Sequence, residues 1–89
     1  MQYSFEFDEA KSRASVTKHG ISFVEAQDLW LDGDLLRVPA RSDAELRFLF
    51  IGEIDGVCWT AIVTYRGETI RLISVRRSRP REVQAHEGE

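Results

Sequence analysis

VCWTAIVTYRGETIRLISV, residues 57–75, consists of two apolar runs, Val57–Tyr65 and Thr69–Val75, separated by Arg66-Gly67-Glu68. Both runs are rich in β-branched and aromatic residues, and a short glycine-containing break between such runs predicts a β-hairpin. Successive side chains in a strand point to opposite faces. Trp59, Ala61, Val63 and Tyr65 therefore share one face, and Cys58, Thr60, Ile62 and Thr64 the other. The first set suits a core beneath helices, while the second is polar enough for a partly open sheet face.

Working upstream, RFLFIG (47–52) and LLRV (35–38) are also strand-like, with turn signals at EIDG (53–56) and DGDL (32–35) and a polar segment at 39–46. Strands joined by such short turns predict an antiparallel meander. Farther upstream, SFVE (22–25) has the capping-box pattern and opens a helix to about Leu31, with Phe23, Ala26 and Trp30 on one buried stripe. Asp8 caps a preceding helix through about Thr17, which Lys18-His19-Gly20 ends. YSFEF (3–7) alternates as a short strand, and downstream Ser78 with Pro80 starts a short terminal helix. The expected fold is α+β in one domain spanning 1–89: two N-terminal helices on one face of an antiparallel sheet, then a short C-terminal helix.

Composition narrows the functional classes. With 89 residues, 43% hydrophobic and 30% charged, the chain is an ordinary globular sequence. No apolar run approaches the roughly 20 residues of a membrane span, and MQYSFEFDEAK lacks the features of a signal peptide, so a cytoplasmic location is expected. Cys58 stands alone, which excludes an internal disulfide, and with His19 and His86 it matches no zinc framework. No metal or cofactor is expected. Charge is unevenly distributed. Residues 1–58 hold six Lys or Arg against eleven Asp or Glu, whereas residues 59–81 hold six Arg against Glu68 alone. An acidic scaffold with a basic strand region points to an anionic partner, unless the arginines only solvate an exposed strand.

FEFDEAKSRASVTKHGISFVEA (5–26), the Glu45-x-Arg47 pair before FLFIG, and IRLISVRRSRPRE (70–82) resemble the BrnT family. Its members are small ribonuclease toxins of bacterial type II toxin–antitoxin systems with a RelE-like fold. Asp8, Lys11, Lys18-His19-Gly20, Ser22-Phe23, Arg71 and Ile73-Ser74-x-Arg76 carry the likeness most strongly. The chain departs from it at Phe7 (commonly Trp), Ser15 (commonly Asn), and Val75 and Ser78 (commonly Ala), and it has no tyrosine near its end.

The resemblance implies a metal-independent endoribonuclease that arrests growth, neutralised by a BrnA-like DNA-binding antitoxin and touching operator DNA only through that complex. No membrane is implied. Arginine suits such chemistry because its planar fork donates two hydrogen bonds to a phosphate while staying charged. Arg71 and Arg76 are the candidates for gripping the scissile phosphate, each with an architectural alternative. Their numbers differ by five, so a regular strand would point them to opposite faces, and a bulge within Leu72–Val75 would reunite them. Lys18 and His19 are the other catalytic candidates. His19 has the pKa range of a general acid or base, but the same turn also suits a helix C-terminus. Arg77 and Arg79 are candidate RNA or antitoxin contacts. Arg66 is an RNA contact or a solvated turn residue, and Tyr65 donates to phosphate or packs. Glu53 and Asp55 are turn acids able to act as bases, and His86 lies in a tail expected to fray. The alternative function is a non-catalytic or degenerate toxin that serves as an antitoxin-binding co-repressor module.

Overall fold

The computed structural model describes residues 3–40 and 45–88. Its order is β1 (Phe5–Glu6), α1 (Glu9–His19), α2 (Phe23–Ala26), a 3-10 turn (Gln27–Leu31), β2 (Leu36–Ala40), β3 (Arg47–Ile54), β4 (Val57–Arg66), β5 (Thr69–Arg77) and α3 (Pro80–Glu87). The fold is α+β, with five strands in the order β1-β5-β4-β3-β2.

The expected meander forms from β2 to β5, all antiparallel. Ile54 pairs with Val57 across Asp55-Gly56, whose φ values of 50° and 79° are the positive pair a type I′ turn requires. Arg66 pairs with Thr69 across Gly67-Glu68, where Gly67 alone has positive φ, the II′ pattern. The sheet as a whole is mixed, which corrects the antiparallel expectation. β1 adds to the outer edge of β5 in parallel, with Phe5 opposite Ile70 and Glu6 opposite Arg71. A parallel neighbour requires a long crossover, here almost the entire chain, and local periodicity carries no sign of it.

Asp8 caps α1 by accepting from the amides of Ala10 and Lys11, at 2.8 and 3.2 Å. Ser22 and Glu25 close the capping box of α2 at 2.9 and 3.0 Å. The second helix is nevertheless a single α turn that tightens into a 3-10 segment, not one helix to Leu31. Phe23, Ala26, Leu29 and Trp30 still face inward and pack on Phe50, Ala61, Val63, Ile70, Leu72 and Val75. α1 packs through serines: the buried Ser12 hydroxyl accepts from the Phe23 amide at 2.9 Å, which ties α1 to α2.

The opposite sheet face is not as open as Thr60 and Thr64 suggest. Both are buried, and Thr60 is fully so. Thr64 Oγ1 donates to the Leu46 carbonyl at 2.7 Å, while Thr60 lies beside Ser78 and Glu82 at the start of α3. That helix begins at Pro80 with Arg79 as its cap residue, one position later than Ser78 suggested. Most of the polar segment 39–46 lies outside the described residues or continues β2.

Candidate functional site

The bulge exists, and it lies within Leu72–Val75. Leu72 pairs with Val63 and Ser74 with Ile62, leaving Ile73 as the extra residue on β5. Arg71 opposite Thr64 and Arg76 opposite Thr60 therefore project to the same face, with Ser74 between them. The two stations are four residues apart along β4, about 13 Å at strand rise.

Sharing a face does not make them one pocket, because each guanidinium has its own carboxylate. Arg71 Nη1 donates to Glu6 Oε2 at 2.8 Å, and Arg66 Nε lies 3.5 Å from the same oxygen. This leaves two cations for one anion, and Arg71 has most of its five N–H donors still to use. Arg76 is engaged more completely. Nη1 and Nη2 meet the two oxygens of Glu82 at 2.7 and 2.8 Å, and Nη1 also donates to the Arg77 carbonyl at 3.2 Å. The two side chains are only 19% and 13% exposed. The hydrogen bonds from Arg76 hold the Glu82 carboxyl down at about 2 despite burial, with help from the Arg79 amide and Thr60. The same pairing raises Arg76 above its usual value. The expectation that these arginines converge on a single anion is thus corrected: they occupy separate stations, and the Arg76 station fastens α3 to the sheet.

A different set of cations lies open. β1 pairs with β5 only at Ile70 and Arg71, so farther along α1 packs against β5. Between them is a cavity of about 170 Å3 lined by Lys11, Ala14, Ser15, Lys18, His19, Phe23, Ile73 and Ser74. Positions 11, 14, 15 and 18 follow the i, i+3, i+4, i+7 spacing of one helical face. Gly20 turns left-handed at φ 80° and donates to the Val16 carbonyl, so the backbone closes the end of α1 and the His19 ring makes no capping bond. The Lys11, Lys18 and His19 side chains have no ion-pair or hydrogen-bond partner among the described residues. The Ser15 hydroxyl, on a residue 5% exposed, has none either.

The remaining candidates are dispersed. Tyr65 lies on the core side, its ring 5.5 Å from Phe48, beside a cleft with Tyr3, Trp30 and Arg37. Arg77 stacks over Trp59 at 5.6 Å, and Arg79 is an exposed cap residue. Glu53 and Asp55 line an acidic cleft with Asp28 and Asp32 at the β3–β4 turn. His86 is not in a frayed tail. It is 8% exposed, with Nε2 3.0 Å from Asp32 Oδ2. Burial pushes the Asp32 carboxyl up, but the amides of Asp34 and Glu53 together with His86 bring it below its usual value.

Sequence reasoning passed over Glu6, Asp32 and Glu82 as partners and Ser15 as a pocket residue. Glu82 alone had a local signal, at the third position of a helix, where a carboxylate reaches back to the cap amide. Among the described residues no group of three or more His, Cys, Asp or Glu is placed to hold a metal ion, and no helix is long and apolar enough to cross a membrane.

No curated protein matches the chain. A family model described as the ribonuclease toxin BrnT of type II toxin–antitoxin systems matches residues 7–82, which take in the α1 turn, the bulge, Arg71, the Arg76–Glu82 pair and the start of α3. The chain belongs to the BrnT family of ribonuclease toxins.

Proposed function

We propose that the chain is a metal-independent endoribonuclease that acts in the cytoplasm, cleaving RNA at the seam between α1 and β5. The observation that carries this is the cluster of unpartnered cations there, Lys11, Lys18 and His19, beside a strand wall that leads to Arg71 on the same face as Ser74. Cleavage without a metal needs a 2′-hydroxyl deprotonated, charge on the phosphoryl oxygens stabilised, and a proton delivered to the departing 5′-oxygen. His19 is the proton carrier. Lys18 stabilises the charged transition state, and Arg71, with donors to spare, holds the phosphate chain alongside Arg66. Arg76 serves this site as architecture, through Glu82 and α3. Arg77 and Arg79 lie at the far end of β5 and suit outer contacts to RNA or antitoxin.

The partner within the type II system is an antitoxin of the BrnA kind, which brings the operator DNA contact, and the overall likeness to RelE-type toxins belongs to the same proposal. Purified protein incubated with single-stranded RNA in excess EDTA tests it. Cleavage that persists is the expected result. Cleavage that appears only with added divalent metal overturns the mechanism, and soluble protein that cuts nothing and leaves bacterial growth normal favours a non-catalytic antitoxin-binding module.

A further inference from the structure

The end of the β4–β5 hairpin presents different chemistry on its two faces. Tyr65 and Arg66 are successive residues of β4, and Ile70 and Arg71 of β5, so each pair divides between the faces. On one face lies the station where Arg66 and Arg71 share the Glu6 carboxylate. On the other lies a cleft of about 400 Å3, within the roughly 300–1,000 Å3 of small-ligand pockets. Trp30 and Phe50 form its floor, both buried and with ring centres 4.9 Å apart. Tyr3 and Tyr65 line the rim and are 47% and 38% exposed. Each ring has an aromatic neighbour, Phe5 for Tyr3 and Phe48 for Tyr65, and still keeps surface open to solvent. Arg37 completes the rim, its guanidinium 5.1 Å from the centre of the Phe48 ring. It has no ion-pair partner among the described residues. Glu68, at the turn, places an exposed acid at the lip.

The charges at the rim select among occupants. A wholly apolar peptide would bury Arg37 unpaired, and an acidic one would meet Glu68. A nucleobase meets neither obstacle. Its ring is uncharged, its π-face stacks on tyrosine or guanidinium alike, and its amino edge donates to a carboxylate. We infer that the cleft is a nucleobase subsite for single-stranded RNA, with Tyr3 and Tyr65 as the stacking residues. Arg37 lies against the base, and Glu68 accepts from its N–H edge. The phosphates next to that base fall to Arg66 and Arg71 around the hairpin end, where two cations for one anion leave donors free. The inference rests on the ribonuclease proposal for the identity of the polymer. It adds a place where a base is held away from the bond that is cut, so these residues set affinity and sequence preference and take no part in the chemistry.

Uncleavable RNA separates this subsite from the ribonuclease proposal. The test is fluorescence anisotropy of the full chain with a labelled single-stranded 2′-O-methyl RNA, which lacks the nucleophile, and with an abasic strand of the same length and charge. The parent chain should bind the base-bearing strand about tenfold more tightly, on the scale of one stacked base. Tyr65→Leu should erase most of that advantage, and Tyr3→Ala should reduce it by about fivefold. Tyr65→Phe keeps the ring and should keep the affinity. None of the three should alter binding of the abasic strand, which reads phosphate contacts and folding alone. Tyr3 is about half exposed, so Tyr3→Ala tests the cleft even where Tyr65→Leu unfolds. Equal affinity of the parent chain for the two strands, or equal losses on both strands in folded variants, would overturn the subsite. So would folded Tyr3→Ala and Tyr65→Leu proteins that keep their RNA affinity but bind the cognate antitoxin less tightly, which assigns the cleft to a protein partner. Base-dependent binding in a protein that leaves ordinary RNA uncut sustains the subsite and defeats only the ribonuclease proposal. RNA cleavage with base-indifferent binding does the reverse.

Discussion

The two sides of β5 use positive charge in different ways. At Arg76 the guanidinium is closed by a bidentate carboxylate, roofed by α3 and largely withdrawn from water. At the seam with α1 the cations have no ion-pair partner among the described residues and border a cavity. Arginine density in a sequence therefore does not locate a site. What separates architecture from available charge is whether the fold supplies a partner acid, and the acid is set by topology: Glu6 by the parallel register of β1, Glu82 by the docking of α3.

The comparison breaks most readily at the seam. His19→Gln should lower the initial rate of RNA cleavage in EDTA by about a hundredfold or more, the usual scale for losing a general acid or base. Its thermal midpoint should not move, since the Gly20 amide closes the helix. A midpoint that falls along with the rate would return His19 to a structural role.

At the closed station the loss should be stability. Glu82→Ala leaves Arg76 buried and unpaired and should cost about 3 kcal/mol in urea unfolding, near the lower end for a broken buried pair because this one keeps some exposure. The pH dependence follows from the same pair. Glu82 titrates at about 2 in the folded protein against a usual 4.5, so its stabilisation is complete above about pH 5 and is lost as pH falls toward 2. The loss is on the order of 3 kcal/mol at most. Urea midpoints taken from pH 7 to pH 2.5 should show it, and Glu82→Gln should remove most of the slope.

The smallest contrast lies within α1 and sharpens the difference between a partnered and an unpartnered serine. Ser12→Ala orphans the buried Phe23 amide and should cost about 1–2 kcal/mol by urea unfolding. Ser15→Ala removes a hydroxyl with no partner and should cost nothing.

Much of this fold is legible because its signals are local. Asp8 and Ser22 announce their helices and Asp55-Gly56 and Gly67 their hairpins, while the odd spacing of Arg71 and Arg76 said only that a bulge within Leu72–Val75 was needed if both were to share a face. The candidate site was half legible. The Lys18-His19-Gly20 turn stood out, but nothing near it in sequence shows that it borders Ile73 and Ser74. What stayed hidden joins distant positions: Phe5 beside Ile70, Glu6 beside Arg71, Asp32 bonded to His86. Period-two and period-3.6 patterns say which face a residue presents. They do not say which strand, helix or acid will meet it there.

The central claim is that Arg76 holds the structure while the α1–β5 seam performs the chemistry. It is tested most directly by comparing RNA-cleavage rates in EDTA for Lys18→Met and for the paired replacement Arg76→Met with Glu82→Leu, which exchanges a buried ion pair for apolar side chains that such sites often tolerate. The paired variant should cut within about threefold of the parent chain, whereas Lys18→Met should fall about a hundredfold, the scale of losing one transition-state donor. A folded paired variant that no longer cuts, alongside a Lys18→Met protein that cuts normally, would contradict the account.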